Sequence, residues 1–169
     1  IIGVSAPASG SVTLGTEALA RRPAAEIARR GVAYVPQGRG LFAGMSVAEN
    51  MELGRLKRRN NAGMYWEEEK IFAFFPRIKE RWRSPADYLS GGEQQMVAVA
   101  RALSGDTRVL LLDEPFEGLA PAIIEELFEA FDKLRHEVAI LIVDHHLDLA
   151  LALSDRTVAL ERGEIIHVG

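Results

Sequence analysis

The sequence predicts an α/β domain built on a parallel sheet, with a helical block inserted into the sheet-forming part. The sheet is indicated by unbroken apolar runs, typical of strands buried on both faces, that alternate with amphipathic helical segments. The insertion is indicated by a middle region in which apolar residues recur at helical spacing instead. We therefore expect a core formed by residues 1–44 and 105–169, and a helical subdomain formed by residues 45–104.

The first half of the chain contains short predicted elements. SVTL at 11–14 and GVAYVPQ at 31–37 have the composition of strands bounded by Gly and Pro, and a short helix with Pro23 near its start is expected between them. Ser46 and Glu49 have capping-box spacing and begin the helical block. Apolar residues at helical spacing are then expected in the core, around a proline that restarts the helix: Ile71, Phe74, Phe75, Pro76 and Ile78.

The second half alternates between strands and helices. RVLLLDEP at 108–115 and VAILIVDHH at 138–146 are predicted to be buried strands. An amphipathic helix with a proline in its first turn is expected at 121–137, and another helix at 147–155. The remaining residues, 156–169, are expected to form a closing hairpin around an Arg-Gly-Glu turn.

Composition limits the class of protein and of partner. The apolar fraction of 48% and the charged fraction of 26% are ordinary for a soluble globular domain. The net charge of −4 disfavours nucleic acid or anionic lipid as a partner, and basic clusters such as Lys57-Arg58-Arg59 are expected on solvated surface. The absence of cysteine excludes disulfides and thiolate chemistry. No apolar run approaches the ~18 residues of a membrane span.

The stretch Ser90-Gly91-Gly92-Glu93 leads directly into an apolar periodic helix. A capping box explains Ser90 and Glu93, but it does not explain two glycines, each of which costs up to about 1 kcal/mol in a helix relative to Ala. The alternative is an anion site, where free N–H groups and the helix dipole meet a phosphate that the missing side chains allow to approach. The motif alone leaves both interpretations open.

Two adjacent carboxylates, Asp113 and Glu114, follow a buried apolar strand. Ligands of parallel sheets bind at the carboxyl ends of the strands, and paired acids buried without cations are expensive. We expect Asp113 to hold Mg²⁺, directly or through water, and Glu114 to accept a proton from an attacking water. The alternative is that both merely lie in a polar loop.

Two further polar residues follow neighbouring predicted strands. His145 lies just past the end of its strand, where it is placed to contact a γ-phosphate and orient water, although a lone histidine in such a position is usually structural. Gln37 also follows a strand, and its neutral amide is able to ligate Mg²⁺ or position water. A glutamine after proline is otherwise a turn residue.

In this order along the chain, these motifs resemble the ATPase subunit of ATP-binding cassette (ABC) transporters, and the resemblance covers essentially the whole chain. Gln37 matches the Q-loop, residues 89–93 the signature motif, residues 110–114 the Walker B strand, residues 117–120 the D-loop and His145 the switch histidine. The resemblance implies a RecA-like P-loop NTPase fold that binds ATP and Mg²⁺. It implies a catalytic role for Glu114 and His145, and a metal-binding role for Asp113 and Gln37. The residues implied to bind the nucleotide are Gln37, Ser90, Gly91, Gly92 and Glu93.

Within this family, the stretches VPQGRGLF, LSGGEQQMVAVARAL and DEPFEGLAP look most like the ATPases of branched-chain amino-acid uptake systems and their urea or amide relatives. The resemblance implies a homodimer or heterodimer of ATPase subunits docked on membrane permease subunits, peripheral to the cytoplasmic face of the inner membrane. It also implies a periplasmic binding protein that delivers the substrate, and no nucleic-acid partner.

The sequence departs from the family pattern in its phosphate-binding loop. No G-x-x-x-x-G-K-[ST] occurs, and the opening IIGVSAPASGSVTL resembles the segment that follows the P-loop helix, so we expect the P-loop to lie upstream of residue 1. We therefore expect residues 1–169 alone to bind Mg-ATP weakly, if at all, and to hydrolyse none. Two other hypotheses remain: a non-catalytic docking module that offers only its signature face, and a soluble cassette ATPase that serves DNA repair or translation.

Overall fold

The computed structural model describes residues 1–56 and 66–169. Residues 57–65, and with them the basic triplet at 57–59, lie outside the described part. The strands are β1 Thr13–Leu14, β2 Glu17–Ala18, β3 Val32–Val35, β4 Val109–Asp113, β5 Ala139–Val143, β6 Val158–Glu161 and β7 Glu164–Val168. The α-helices are α1 Ala24–Arg29, α2 Val47–Arg55, α3 Glu68–Phe74, α4 Pro76–Glu80, α5 Gly91–Leu103, α6 Pro121–Leu134 and α7 Leu147–Leu153, and Ala86–Tyr88 is a 3₁₀ turn.

A parallel sheet in the order β3-β4-β5 lies at the centre of the fold. Val35 pairs with Leu112, and Asp113 pairs with Val143, so the carboxyl ends of the three strands meet at one edge. In β4 the three central residues are buried, as expected for a strand covered on both faces. The prediction of an α/β fold with a parallel sheet is therefore confirmed.

Helices cover the sheet through one large hydrophobic cluster. The predicted core positions Ile71, Phe75 and Ile78 are buried in it, and Phe74 is half-buried against it. Pro76 is the first residue of α4, as predicted for a proline that restarts a helix. Within the described residues, every named element between 45 and 104 is helical. The division into a core and a subdomain stays a prediction.

The start of α2 fixes the chain segment that leaves β3. The predicted capping box is present, because the Ser46 side chain accepts from the Glu49 backbone N–H and the Glu49 carboxylate accepts from the Ser46 N–H. Asn50, fully buried on the same helix, donates through Nδ2 to the Phe42 carbonyl at 3.1 Å and accepts from the Phe42 N–H at 3.0 Å. These bonds tie the segment after β3 to a rigid helix.

The expectation that β5 is buried is wrong. Leu141 and Val143 are 42% and 56% exposed, and the burial of β5 alternates along the strand. Successive side chains of a strand point to opposite faces, so this alternation means that the described residues cover one face of β5 more than the other. An apolar run does not distinguish a strand covered on both faces from one covered on a single face.

The closing hairpin of β6 and β7 is antiparallel, as predicted, and all of its residues are exposed. Pro121 opens α6, also as predicted, although the helix ends at Leu134 rather than at residue 137. In the described ranges, 1–56 and 66–169, none of the helices is long and apolar enough to cross a membrane.

Candidate active site

The carboxyl edge of the sheet gathers the polar residues that follow its three strands. Gln37 lies two residues after β3, Glu114 directly after β4 and His145 two residues after β5. Because the three strands are parallel and in register, these residues meet at one edge although they are far apart in sequence. This convergence is the geometry expected of a ligand site in an α/β sheet.

Glu114 is the central residue of this edge. Its Oε2 accepts a hydrogen bond from Gln37 Nε2 at 3.0 Å, and its Oε1 lies 3.7 Å from His145 Nδ1. The Glu114 backbone has a left-handed φ of +46°, a conformation that costs a non-glycine residue about 1–3 kcal/mol. Its N–H donates to the Val143 carbonyl at 2.7 Å, and this bond to β5 holds the strained residue in place.

Gln37 joins two acids rather than one. Its Nε2 also donates to Glu117 Oε2, at 2.8 Å, so one amide group holds the carboxylates of Glu114 and Glu117 near each other. Since both bonds use the nitrogen, the Oε1 atom of Gln37 is left to act as a ligand. The sequence placed Glu117 only in the D-loop, and its contact with Gln37 could not be predicted.

Tyr34 is a site residue that sequence reasoning missed. Its hydroxyl donates to Asp113 Oδ2 at 2.9 Å from the neighbouring strand. Burial raises the pKa of Tyr34, and the hydrogen bond to Asp113 and the charge of that carboxylate raise it further. Tyr34 therefore stays a donor at neutral pH and fixes the orientation of Asp113. The one indication in the sequence was a tyrosine next to the last residue of β3, the strand beside β4. In the sheet, Tyr34 pairs with Leu111.

The donor set of this edge fits Mg²⁺. Magnesium prefers hard oxygen ligands, and the Asp113 carboxylate and the amide oxygen of Gln37 supply them. In the described part of the chain, no lysine or arginine forms an ion pair with Asp113, Glu114 or Glu117. Three carboxylates at one edge repel each other without a cation, so the edge favours a divalent ion.

His145 and His146 lie in different environments. His145 is the histidine next to Glu114, and its side chain is 62% exposed. His146 is the N-cap residue of α7, and its Nδ1 lies 2.6 Å from Asp144 Oδ1. Of the two, His145 is therefore the histidine whose ring nitrogen lies near the Glu114 carboxylate.

The start of α5 shows the predicted capping box. Ser90 Oγ accepts from the Glu93 backbone N–H at 3.2 Å, and the Glu93 carboxylate accepts from the Ser90 N–H at 2.8 Å and from Arg81 Nε at 2.8 Å. Burial opposes ionisation of Glu93, but the hydrogen bonds from Arg81 and Ser90 outweigh it and lower the pKa of Glu93. Within the described residues, each of these two side chains thus accepts from the other residue's backbone N–H, and Glu93 also accepts from Arg81, so neither bonds to the sheet edge.

The two glycines of α5 have different surroundings. A Cβ on Gly92 would lie 2.4 Å from Ile123 Cγ2, so the first turn of α6 fills the place of the missing side chain. A Cβ on Gly91 would approach only the end of the Arg39 side chain, at 3.2 Å. Gly92 is therefore required by helix packing, and Gly91 is the glycine that leaves the helix start open to a ligand.

Comparison with known proteins identifies the family. The sequence profile of the ABC transporter family matches residues 1–117. The chain belongs to the ABC transporter family. The family and the P-loop NTPase fold, both anticipated from the sequence, are confirmed.

Individual relatives of this ABC transporter chain include two curated proteins. The high-affinity branched-chain amino acid transport ATP-binding protein BraG of Pseudomonas aeruginosa is 40% identical over 167 residues, which are 98% of this chain and 71% of BraG. The probable branched-chain amino acid transport ATP-binding protein LivF of Archaeoglobus fulgidus is 32% identical over 178 residues, which cover all of this chain and 72% of that protein. The chain thus has the sequence of an ABC transporter ATP-binding subunit.

A solved structure supports the fold assignment. The dimeric structure of MJ0796, described as a bacterial ABC transporter cassette, superimposes with a TM-score of 0.79 at 25% identity, over 98% of this chain and 75% of that chain. The likeness supports the assignment of a P-loop NTPase fold.

Proposed function

We propose that this chain is the ATP-hydrolysing part of an ABC importer that takes up branched-chain amino acids or related amides. The observation that carries the proposal is the position of Glu114, which lies between Gln37 and His145 at the carboxyl edge of a parallel sheet. The substrate class rests on the likeness to BraG and LivF, both described as branched-chain amino acid transport proteins.

Glu114 acts as the general base. Its carboxylate is held at one oxygen by Gln37 and lies beside His145 at the other, so it is oriented toward a single position for the attacking water. His145, with its largely exposed side chain, is placed to contact the γ-phosphate and orient that water. The constraint on the Glu114 backbone keeps the carboxylate in this position before ATP arrives.

Asp113 and Gln37 would hold Mg²⁺. The hydrogen bond from Tyr34 occupies one oxygen of Asp113 and orients the other, and Gln37 keeps its amide oxygen for the metal. Bound Mg²⁺ neutralises charge on the transferred phosphoryl group.

The signature residues 90–93 serve a second subunit. The Ser90 and Glu93 side chains accept from each other's backbone N–H groups, and Glu93 also accepts from Arg81, so within the described residues they do not take part in the sheet-edge site. The N-terminus of α5, open at Gly91, is instead available to the γ-phosphate of ATP held by a partner ATPase. The dimeric form described for MJ0796 supports this arrangement. The dimer would dock on permease subunits at the cytoplasmic face of the membrane, and a periplasmic protein would deliver the cargo.

A second function has one observation in its favour. Residues 1–169 contain no G-x-x-x-x-G-K-[ST], the motif whose amides and lysine supply most of the phosphate grip in P-loop proteins. By themselves these residues would form a docking module that offers its signature face to an intact partner. In that case the sheet edge binds no nucleotide of its own.

One experiment separates these functions. The full-length protein would be purified with its permease in liposomes, and ATP hydrolysis measured with binding protein that is loaded with leucine or empty. The import proposal predicts faster hydrolysis with leucine-loaded protein. A complex that binds ATP only through its partner would favour the docking module, and an active ATPase that never copurifies with a permease would favour a soluble cassette.

A further inference from the structure

Asp144, His145 and His146 form a compact set of metal-ligating side chains where β5 leads into α7. One ligand atom from each residue lies within 4.8 Å of the others. The two imidazole rings lie side by side, with centroids 4.2 Å apart and an interplanar angle of 34°. Ligand atoms bound to one tetrahedral zinc ion, at about 2.0–2.2 Å each, lie about 3.4 Å apart. Rotation of the two rings would be needed to bring this set, here called the DHH cluster, to coordinating distance.

One carboxylate oxygen of the cluster is unpaired within residues 1–56 and 66–169. The Asp144 side chain is fully buried, and its Oδ1 contacts the backbone N–H and the Nδ1 of His146, at 2.7 and 2.6 Å. Its Oδ2 is also buried but has no hydrogen-bond partner among the described residues. A buried polar atom left unpaired costs about 1–3 kcal/mol, and more when it belongs to a charged group. A cation bound by the Asp144 carboxylate would offset this cost.

The donor types point to a particular class of cation. Two imidazoles and one carboxylate are typical ligands of Zn²⁺ and neighbouring transition metals, whereas Mg²⁺ prefers oxygen ligands only. The sheet edge at Asp113 and Gln37 offers oxygen ligands, as Mg²⁺ prefers, whereas the DHH cluster offers the mixed nitrogen and oxygen ligands typical of Zn²⁺. We propose that the DHH cluster binds a divalent transition metal such as Zn²⁺, separately from the Mg²⁺ of ATP.

Metal at the DHH cluster would change the neighbouring site. His145 Nδ1 lies 3.7 Å from Glu114 Oε1, and a ring turned toward a shared metal with Asp144 and His146 no longer orients water beside Glu114. Zinc binding would then inhibit ATP hydrolysis. This consequence rests on the proposed function, whereas metal binding does not.

The test is a titration of the untagged protein with Co²⁺, a spectroscopic stand-in for Zn²⁺, followed by visible absorption without nucleotide. We expect a saturable cobalt spectrum that Zn²⁺ abolishes and excess Mg²⁺ leaves unchanged. His146→Ala should weaken cobalt binding at least tenfold. His145→Ala should do the same, and because its side chain is largely exposed this variant keeps the fold. The control is His136→Ala, an exposed histidine just beyond the end of α6, which should bind as the wild type does.

Several results would overturn the proposal. One is a wild-type protein with no saturable spectrum, and another is His145→Ala binding within twofold of the wild type. Equal weakening by His136→Ala would show nonspecific binding and would also overturn it. Since the titration contains no ATP, its outcome does not depend on whether Glu114 is the catalytic base.

Discussion

The carboxyl edge of the sheet and the start of α5 are both built from polar residues, but they differ in how far the protein satisfies them. At the sheet edge, Asp113, Glu114 and Glu117 have no lysine or arginine partner in the described ranges, and Glu114 is held in a strained backbone conformation. At the start of α5, the Glu93 carboxylate receives hydrogen bonds from Arg81 and from the Ser90 backbone.

The difference distinguishes a region that serves the reaction from a region that stabilises the fold. Backbone strain of this kind clusters at functional sites, and acids without a lysine or arginine partner leave room for a bound cation. A region whose polar groups are satisfied locally is stable without a ligand. We infer that the sheet edge holds the reacting groups. The N-terminus of α5 is capped by its own residues and offers a ligand mainly the open space at Gly91.

The largest expected effect tests the sheet edge. In the full-length protein, Glu114→Gln removes the proposed base while keeping the shape of the side chain and should lower ATP turnover at least ~100-fold. ATP binding should persist, so an ATP-bound dimer should accumulate in size-exclusion chromatography. The comparison variant is Glu117→Gln, which alters the other acid bonded to Gln37 and should cost less than ~10-fold. Equal turnover in the two variants would remove the special role of Glu114.

The second prediction separates the two glycines of α5. Gly92→Ala places a Cβ 2.4 Å from Ile123 and forces α5 and α6 apart, so the free energy of unfolding should fall by about 1–3 kcal/mol. Gly91→Ala meets only the flexible end of Arg39 and should change stability by less than about 1 kcal/mol. Urea unfolding measures both. The packing explanation of Gly92 fails if the Gly92 variant is as stable as the Gly91 variant.

The third prediction concerns Ser90 as a helix cap. Ser90→Ala removes the acceptor for the Glu93 N–H and should lower the free energy of unfolding by about 1 kcal/mol. Ser90→Asp, which keeps an acceptor, should restore most of this loss. Ser46→Ala provides a matched control, because Ser46 forms the same box at α2 and should show a loss of the same size. A loss confined to one of the two serines would contradict the capping account.

The smallest expected effect is a pH dependence at Glu93. The folded-state pKa of Glu93 lies below its ordinary value of 4.5, so its ionised form stabilises the fold above that value. This stabilisation should disappear as the pH falls through the lowered folded-state pKa. The midpoint temperature of thermal unfolding should therefore fall more steeply between pH 7 and pH 3 for the wild type than for Glu93→Gln. Parallel curves would indicate that Glu93 makes no net ionic contribution.

Much of the fold could be predicted because local rules decide it. The buried run of β4, the capping boxes at Ser46 and Ser90, and the prolines that open α4 and α6 depend only on short-range sequence. The strand-end positions of the site residues followed from parallel pairing, because such strands end at one edge.

What could not be predicted depends on contacts between distant segments. The exposure of β5 depends on which elements cover it, and its apolar run resembles that of β4. The bond between Tyr34 and Asp113 requires the strand register, and the need for glycine at position 92 arises from Ile123 in a later helix. The strained backbone conformation of Glu114 is held by a hydrogen bond to β5, a strand that comes later in the sequence. None of these is encoded in a local pattern.

The most direct test of the central claim uses mixed dimers of the full-length protein, built from differently tagged copies. In one dimer, Glu114→Gln is in one subunit and Gly91→Asp in the other. In the second dimer, both substitutions are in one subunit and its partner is wild type. If the sheet edge of one subunit acts on ATP that the partner's α5 covers, the first dimer keeps one intact site and about half of the wild-type turnover, whereas the second keeps almost none. Equal turnover in the two dimers would contradict the account.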